Sequence, residues 1–128
     1  MKSQHITFDN EESFESKINT MNDQLKLKII QYMTTDTAEY EHMQYFGLTP
    51  RQSCTISDII FAELQLLSNY TLIDWCYEIS TEIMTGISAF MNGLVEINRV
   101  STFTPYEYAI LIYNSIIKQL DTLIICVY

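Results

Sequence analysis

Between residues 72 and 98, the apolar side chains Trp75, Ile79, Ile83, Met84, Ile87, Phe90, Met91, Leu94 and Ile97 fall at helical spacing and cover well over half of one helix surface. A helix apolar over so much of its girth must be enclosed by neighbours, so the stretch predicts a central helix inside a bundle. Its polar residues Glu78, Glu82, Thr85, Asn92 and Glu96 keep one narrow stripe for solvent. Gly86 and Gly93 mark places where a neighbouring helix can come close. Glycine in mid-helix costs about 1 kcal/mol, and close packing is the expected compensation.

The flanking sequence supplies further helices. Phe14, Ile18, Met21, Leu25, Ile29, Tyr32 and Met33 recur at three- and four-residue steps after Asp9-Asn10-Glu11-Glu12, and predict a helix over 11–33 with acids at its positive end. Asp36 and Glu39 open a shorter helix, about 37–46, which carries Tyr40, Met43 and Phe46 and which Gly47 can close. In Thr49-Pro50-Arg51-Gln52 a capping threonine precedes proline at the first helical position and glutamine at the third, so a third, short helix opens there. Thr55 or Ser57 can cap a fourth, through Ile60, Phe61, Leu64 and Leu67 to Ser68-Asn69. Thr104-Pro105-Tyr106-Glu107 is a capping box for a last helix. One face of that helix holds Tyr106, Ile110, Tyr113, Ile117, Leu120 and Ile124, and a second holds Ala109, Ile112, Ile116 and Leu123. No repeat, low-complexity tract or alternating strand pattern interrupts this order. The expectation is an all-α bundle of five or six helices, a single domain over 1–128 with the 72–98 helix nearly central.

Composition narrows the function. A chain of 128 residues has room for one core, and only three Gly and two Pro remain to punctuate turns, so its elements are few and long. The net charge of −9 repels phosphate backbones and anionic headgroups, which argues against direct nucleic-acid binding. Cys54, Cys76 and Cys126 form neither a disulfide framework nor a zinc motif and fit a reducing cytosol, with Cys54 and Cys76 reading as small buried thiols. The polar start Met1-Lys2-Ser3-Gln4-His5 lacks the apolar core of a secretory signal. The run 106–128 is broken by Asn114, Ser115, Lys118, Gln119 and Asp121, so no membrane anchor is visible. The apolar close from Leu123 to Tyr128 must pack inward or meet another chain, and with it a homodimer enters consideration.

The segment Phe61-Ala62-Glu63-Leu64-Gln65-Leu66-Leu67-Ser68-Asn69-Tyr70-Thr71-Leu72-Ile73-Asp74-Trp75 resembles the helix-to-turn segment of the Bcl (B-cell lymphoma) family, which runs without a gap from a Phe to the Asn-Trp of the first homology motif. Ile83 to Glu96, including Ile87-Ser88-Ala89-Phe90, is similar to that family's central hydrophobic helix. Ile117-Lys118-Gln119-Leu120-Asp121-Thr122-Leu123-Ile124 is similar to the stretch near its second homology motif. The family's Asn-Trp-Gly-Arg reads Asp74-Trp75-Cys76-Tyr77 here, so the arginine that pairs with the ligand's aspartate is absent, with Arg51 and Arg99 as candidate substitutes.

The resemblance implies a viral-type anti-apoptotic protein of the host cytoplasm or mitochondrial periphery. Such a protein sequesters the third homology motif of pro-apoptotic proteins, Bim above all, in a hydrophobic groove. By position it assigns Leu64, Ser68, Trp75, Tyr77, Met84 and Ile87 to the groove, with Tyr40, Met43 and Phe46 as the opposite wall. Two rival functions stand beside this one. A protein of the same fold with a closed groove can inhibit innate-immune signalling through its surface faces, and an acidic protein can occupy a nucleic-acid enzyme. Glu39, Glu41, Glu78, Glu82 and Glu96 read most simply as solvated helix faces, and Met43, Met84 and Met91 as core filler. His5 and His42 have no motif partners, so neither a metal site, a cofactor nor catalysis is expected.

Overall fold

The computed structural model describes residues 6–8, 11–35, 37–68, 73–97 and 103–126, with side chains over 16–35, 38–66, 74, 76–97 and 103–121. Five helices are present among them: α1 (Glu11–Thr35), α2 (Thr37–Phe46), α3 (Pro50–Ser68), α4 (Ile73–Glu96) and α5 (Pro105–Leu123). The expected sequence signals set several boundaries. At Gly47, φ is +79° and its N–H donates to the Met43 carbonyl at 3.2 Å, which closes α2. The Thr49 side chain accepts from the Gln52 N–H at 3.0 Å while Gln52 Oε1 accepts from the Thr49 N–H at 2.8 Å. Thr104 and Glu107 make the same reciprocal pair at 3.2 and 2.9 Å before α5.

The third and fourth helices expected from sequence are one continuous helix, α3. Neither Gly nor Pro follows Pro50 before Ser68, and Gln52, Ile56, Ile60 and Leu64 form one unbroken buried stripe, so the cap signals at Thr55 and Ser57 go unused. A second correction concerns strands. Ile6–Phe8 (β1) pairs in parallel with Ile124–Cys126 (β2), in the register Ile6 to Ile124, Thr7 to Ile125 and Phe8 to Cys126. The last helix therefore stops at Leu123, and Ile124 belongs to a strand. Three-residue strands are too short for alternation to reveal, and their pairing spans nearly the whole sequence.

Among the described residues no helix is enclosed by all the others. α1 packs on α3 and α5, and α4 packs on the same two from the other side, so these four form a ring around a shared core while α2 bridges α1 and α4. Met21, Leu25, Ile29 and Met33 enter from α1, Ile56, Ile60 and Leu64 from α3, and Ile79, Ile83, Ile87 and Met91 from α4. α5 buries Tyr108, Ala109, Ile112, Ile116 and Leu120, so the inner face takes Ala109, Ile112 and Ile116 from the second expected face and Leu120 from the first, while Tyr106 lies outside. In α4, burial is confined to one face, and Tyr77, Thr81, Thr85 and Ala89 are exposed. The apolar pattern overstated its enclosure because Phe90 and Ile97, on the same seven-residue stripe as the buried Cys76 and Ile83, are exposed toward and past the C-terminal end of the helix. Gly86 meets Gln119 of α5 closely, whereas Gly93 has open space around it.

Polar groups inside the ring are handled in two ways. Lys28 of α1 donates to the carboxylate of Glu63 on α3, whose side chain is only 3% exposed. The Tyr40 hydroxyl donates to the Phe103 carbonyl, and the Tyr40 ring packs edge-on against Tyr108 with centroids 5.8 Å apart. The Tyr108 hydroxyl is buried without a hydrogen-bond partner among the described residues. Burial, then the neighbouring Tyr40, pushes its pKa well above the ordinary tyrosine range.

A candidate helix-binding groove

Small residues on the facing stripes of two long helices leave a depression between them. On α3 these are Ser53, Cys54 and Ser57, and on α4 Thr81, Thr85 and Ser88. With Asp58, Tyr77 and Met84 they line an open groove of about 480 Å³. Gly47, just before α3, lies against Asn92 and Val95, and α3 ends only four residues before α4 begins, so the two helices run antiparallel. Ser88, Asn92 and Val95 share one stripe of α4, which places the α2–α3 corner at one end of the groove and Tyr77 at the other.

The groove is less polar than its residue names suggest. Thr81 donates its hydroxyl to the Tyr77 carbonyl at 2.8 Å and Thr85 to the Thr81 carbonyl at 3.0 Å. Both hydroxyls are thus turned onto their own helix, which leaves the methyl groups for the groove surface. Tyr77 is 65% exposed, an aromatic ring standing largely in solvent, while Met84 forms a flexible apolar floor.

Fixed charge enters from α3. Arg51, Cys54 and Asp58 lie at i, i+3 and i+7, on one stripe. Asp58 is exposed and makes no ion pair among the described residues. Arg51 is 73% exposed and stands 3.7 Å from Glu39, which also accepts from the Thr49 hydroxyl at 3.0 Å. The cation is therefore near the α2–α3 corner and the carboxylate about two turns further along.

Of the expected groove residues whose side chains are described, Tyr77 and Met84 line this depression and the others do not. Leu64, Ile87 and Met43 are fully buried and Tyr40 nearly so, because the inner stripes of their helices fill the ring core. Phe46 is 71% exposed and packs with His42 and Tyr45 outside the groove, so α3 and not α2 supplies the opposite wall. The side chains of Ser68 and Trp75, and all of Arg99, lie outside the described residues. Cys76 is buried, as expected, but Cys54 is exposed on the groove wall. The missed lining residues carried a usable signal, since Ser53 and Ser57, and Thr81, Thr85 and Ser88, repeat small side chains at helical spacing.

Among the described residues no helix is long and apolar enough to cross a membrane, and no group of His, Cys, Asp or Glu is arranged to hold a metal. No protein-family model, curated protein or solved structure matches the chain.

Proposed function

We propose that the α3–α4 groove holds an amphipathic helix of another protein. The observation that carries this is the groove's shape and surface together. From Tyr77 to Ser88 it follows twelve residues of α4, a rise of about 16 Å, the span of four apolar anchors along one face of a bound helix. Methyl groups, the Met84 side chain and an exposed tyrosine ring suit such anchors, and small wall residues admit them. Together with the Bcl resemblance, this makes the homology-motif helix of pro-apoptotic proteins, Bim first, the ligand class, and a viral-type block of cell death the role. Calorimetric titration with a panel of such helices tests the reading, with binding at about −8 kcal/mol or better, micromolar or tighter, expected. Silence from the whole panel with a folded protein refutes it.

A second reading rests on the exposed rings of His42, Tyr45 and Phe46, which lie outside the groove. Such a patch suits a large signalling partner held by a surface face. Retention of that partner after loss of groove binding, and its release by Phe46→Ala, distinguishes the two.

A further inference from the structure

Building on the groove reading, we infer that Asp58 and Arg51 read a charge pair on the bound helix, selecting a ligand with a basic and an acidic residue about two turns apart along one edge. The spacing follows from α3 itself. Seven residues separate Arg51 from Asp58, a rise of about 10 Å, so a helix lying along the groove meets both only if its own opposite charges are about seven residues apart. Asp58 has no competing ion-pair partner among the described residues, and its carboxylate stands on the wall of a largely apolar groove, where a docked helix displaces part of its water. Arg51 already lies near Glu39, but at 3.7 Å and with 73% exposure that pairing is loose enough to be shared.

Opposite Asp58, α4 supplies Tyr77, Thr81 and Thr85 and no cation. The negative charge of this part of the groove is therefore uncompensated within the site. A ligand carboxylate placed there is repelled, and a lysine or arginine is attracted. Asp58 on the wall and Arg51 beyond its end, near the α2–α3 corner, have opposite signs at two levels of one α3 stripe, so they also fix which way round a ligand lies. An excess of basic residues on the ligand is not enough, since the attraction exerted by the whole acidic chain carries no order.

The experiment uses two synthetic amphipathic helices of roughly 22 residues, with the same four apolar anchors and the same composition, that differ only in exchanging a lysine and a glutamate seven positions apart on one edge. Fluorescence anisotropy against the full chain at low and high salt is expected to show the two orders differing in affinity by about fivefold or more at low salt, with the difference shrinking as salt rises. In Asp58→Asn the difference shrinks to the share that Arg51 supplies, and in Asp58→Lys, which leaves two cations along the stripe, it disappears. Circular dichroism of both variants establishes that they fold. Equal binding of the two orders to the unaltered chain, or a preference that Asp58→Asn leaves undiminished, overturns the charge assignment while the groove stands. Failure of both peptides, together with silence across the death-ligand panel, removes the groove reading and this inference with it.

Discussion

Lys28, 40% exposed on α1, extends its ammonium to Glu63, a carboxylate almost wholly enclosed on α3. The two residues are 35 positions apart and join two sides of the helical ring. Removing only the cation leaves a buried anion without compensation, which is costlier than removing both. Lys28→Met is expected to lower stability by about 2–3 kcal/mol, below the full cost of breaking a buried pair because Lys28 is partly solvated. Lys28→Met combined with Glu63→Leu is expected to recover most of that loss. Urea denaturation of the single and double variants measures both.

Gly47 and Gly93 differ in what a side chain would meet. Gly47 has a left-handed φ, and a β-carbon there would come within 2.7 Å of Asn92 Oδ1. Gly47→Ala is expected to destabilise by about 1–2 kcal/mol. Gly93 is exposed in α4 with nothing near it, so Gly93→Ala is expected to stabilise by about 0.5–1 kcal/mol. Thermal unfolding of the two variants should shift in opposite directions.

The Tyr108 hydroxyl gives an alkaline signature. Its folded pKa is raised above the unfolded value of 10.0, so its contribution is fully present below pH 10.0. Above that pH the unfolded chain releases a proton that the folded chain retains, and stability falls, by up to about 1.4 kcal/mol per pH unit for one such group. Tyr113 is shifted in the same direction by burial and by the charge of Asp23. Tyr108→Phe is expected to flatten the decline above pH 10 and, at pH 7, to leave stability unchanged or raised by about 1 kcal/mol, because it removes an unpaired buried hydroxyl. Denaturant midpoints from pH 7 to 11 provide the comparison.

Tyr77 separates binding from folding. Its ring is mostly in solvent, so Tyr77→Ala should change stability by no more than about 0.5 kcal/mol. The same change should weaken a groove ligand by about tenfold or more if the ring is an aromatic anchor. Anisotropy titration and denaturation of one protein sample give the two numbers.

Local chemistry made much of the helical frame legible. Thr49 with Gln52, Thr104 with Glu107, and Gly47 each announce a boundary through bonds made within a few residues. Thr55 and Ser57 misled because a capping residue acts only where the backbone leaves the helix, and the inner stripe through Ile56 and Ile60 keeps it helical. The α4 helix looked central because the apolar stripe through Cys76 and Ile83 continues in sequence to Phe90 and Ile97, and periodicity does not tell how far along a helix its neighbours reach; these last two are exposed. The groove wall was harder still. Ser53, Cys54 and Ser57 matter through how little space they fill opposite Thr81 and Thr85, a property of two helices together.

The parallel strand pair β1–β2 gives the fold a mechanical character. Tension entering ahead of Ile6 and leaving beyond Cys126 pulls two strands of the same polarity in opposite directions along their length. The ladder is then sheared, with its hydrogen bonds bearing load together, whereas hairpin strands pulled from their open ends separate one rung at a time. Force applied through the two ends must break this clasp before it reaches the helices.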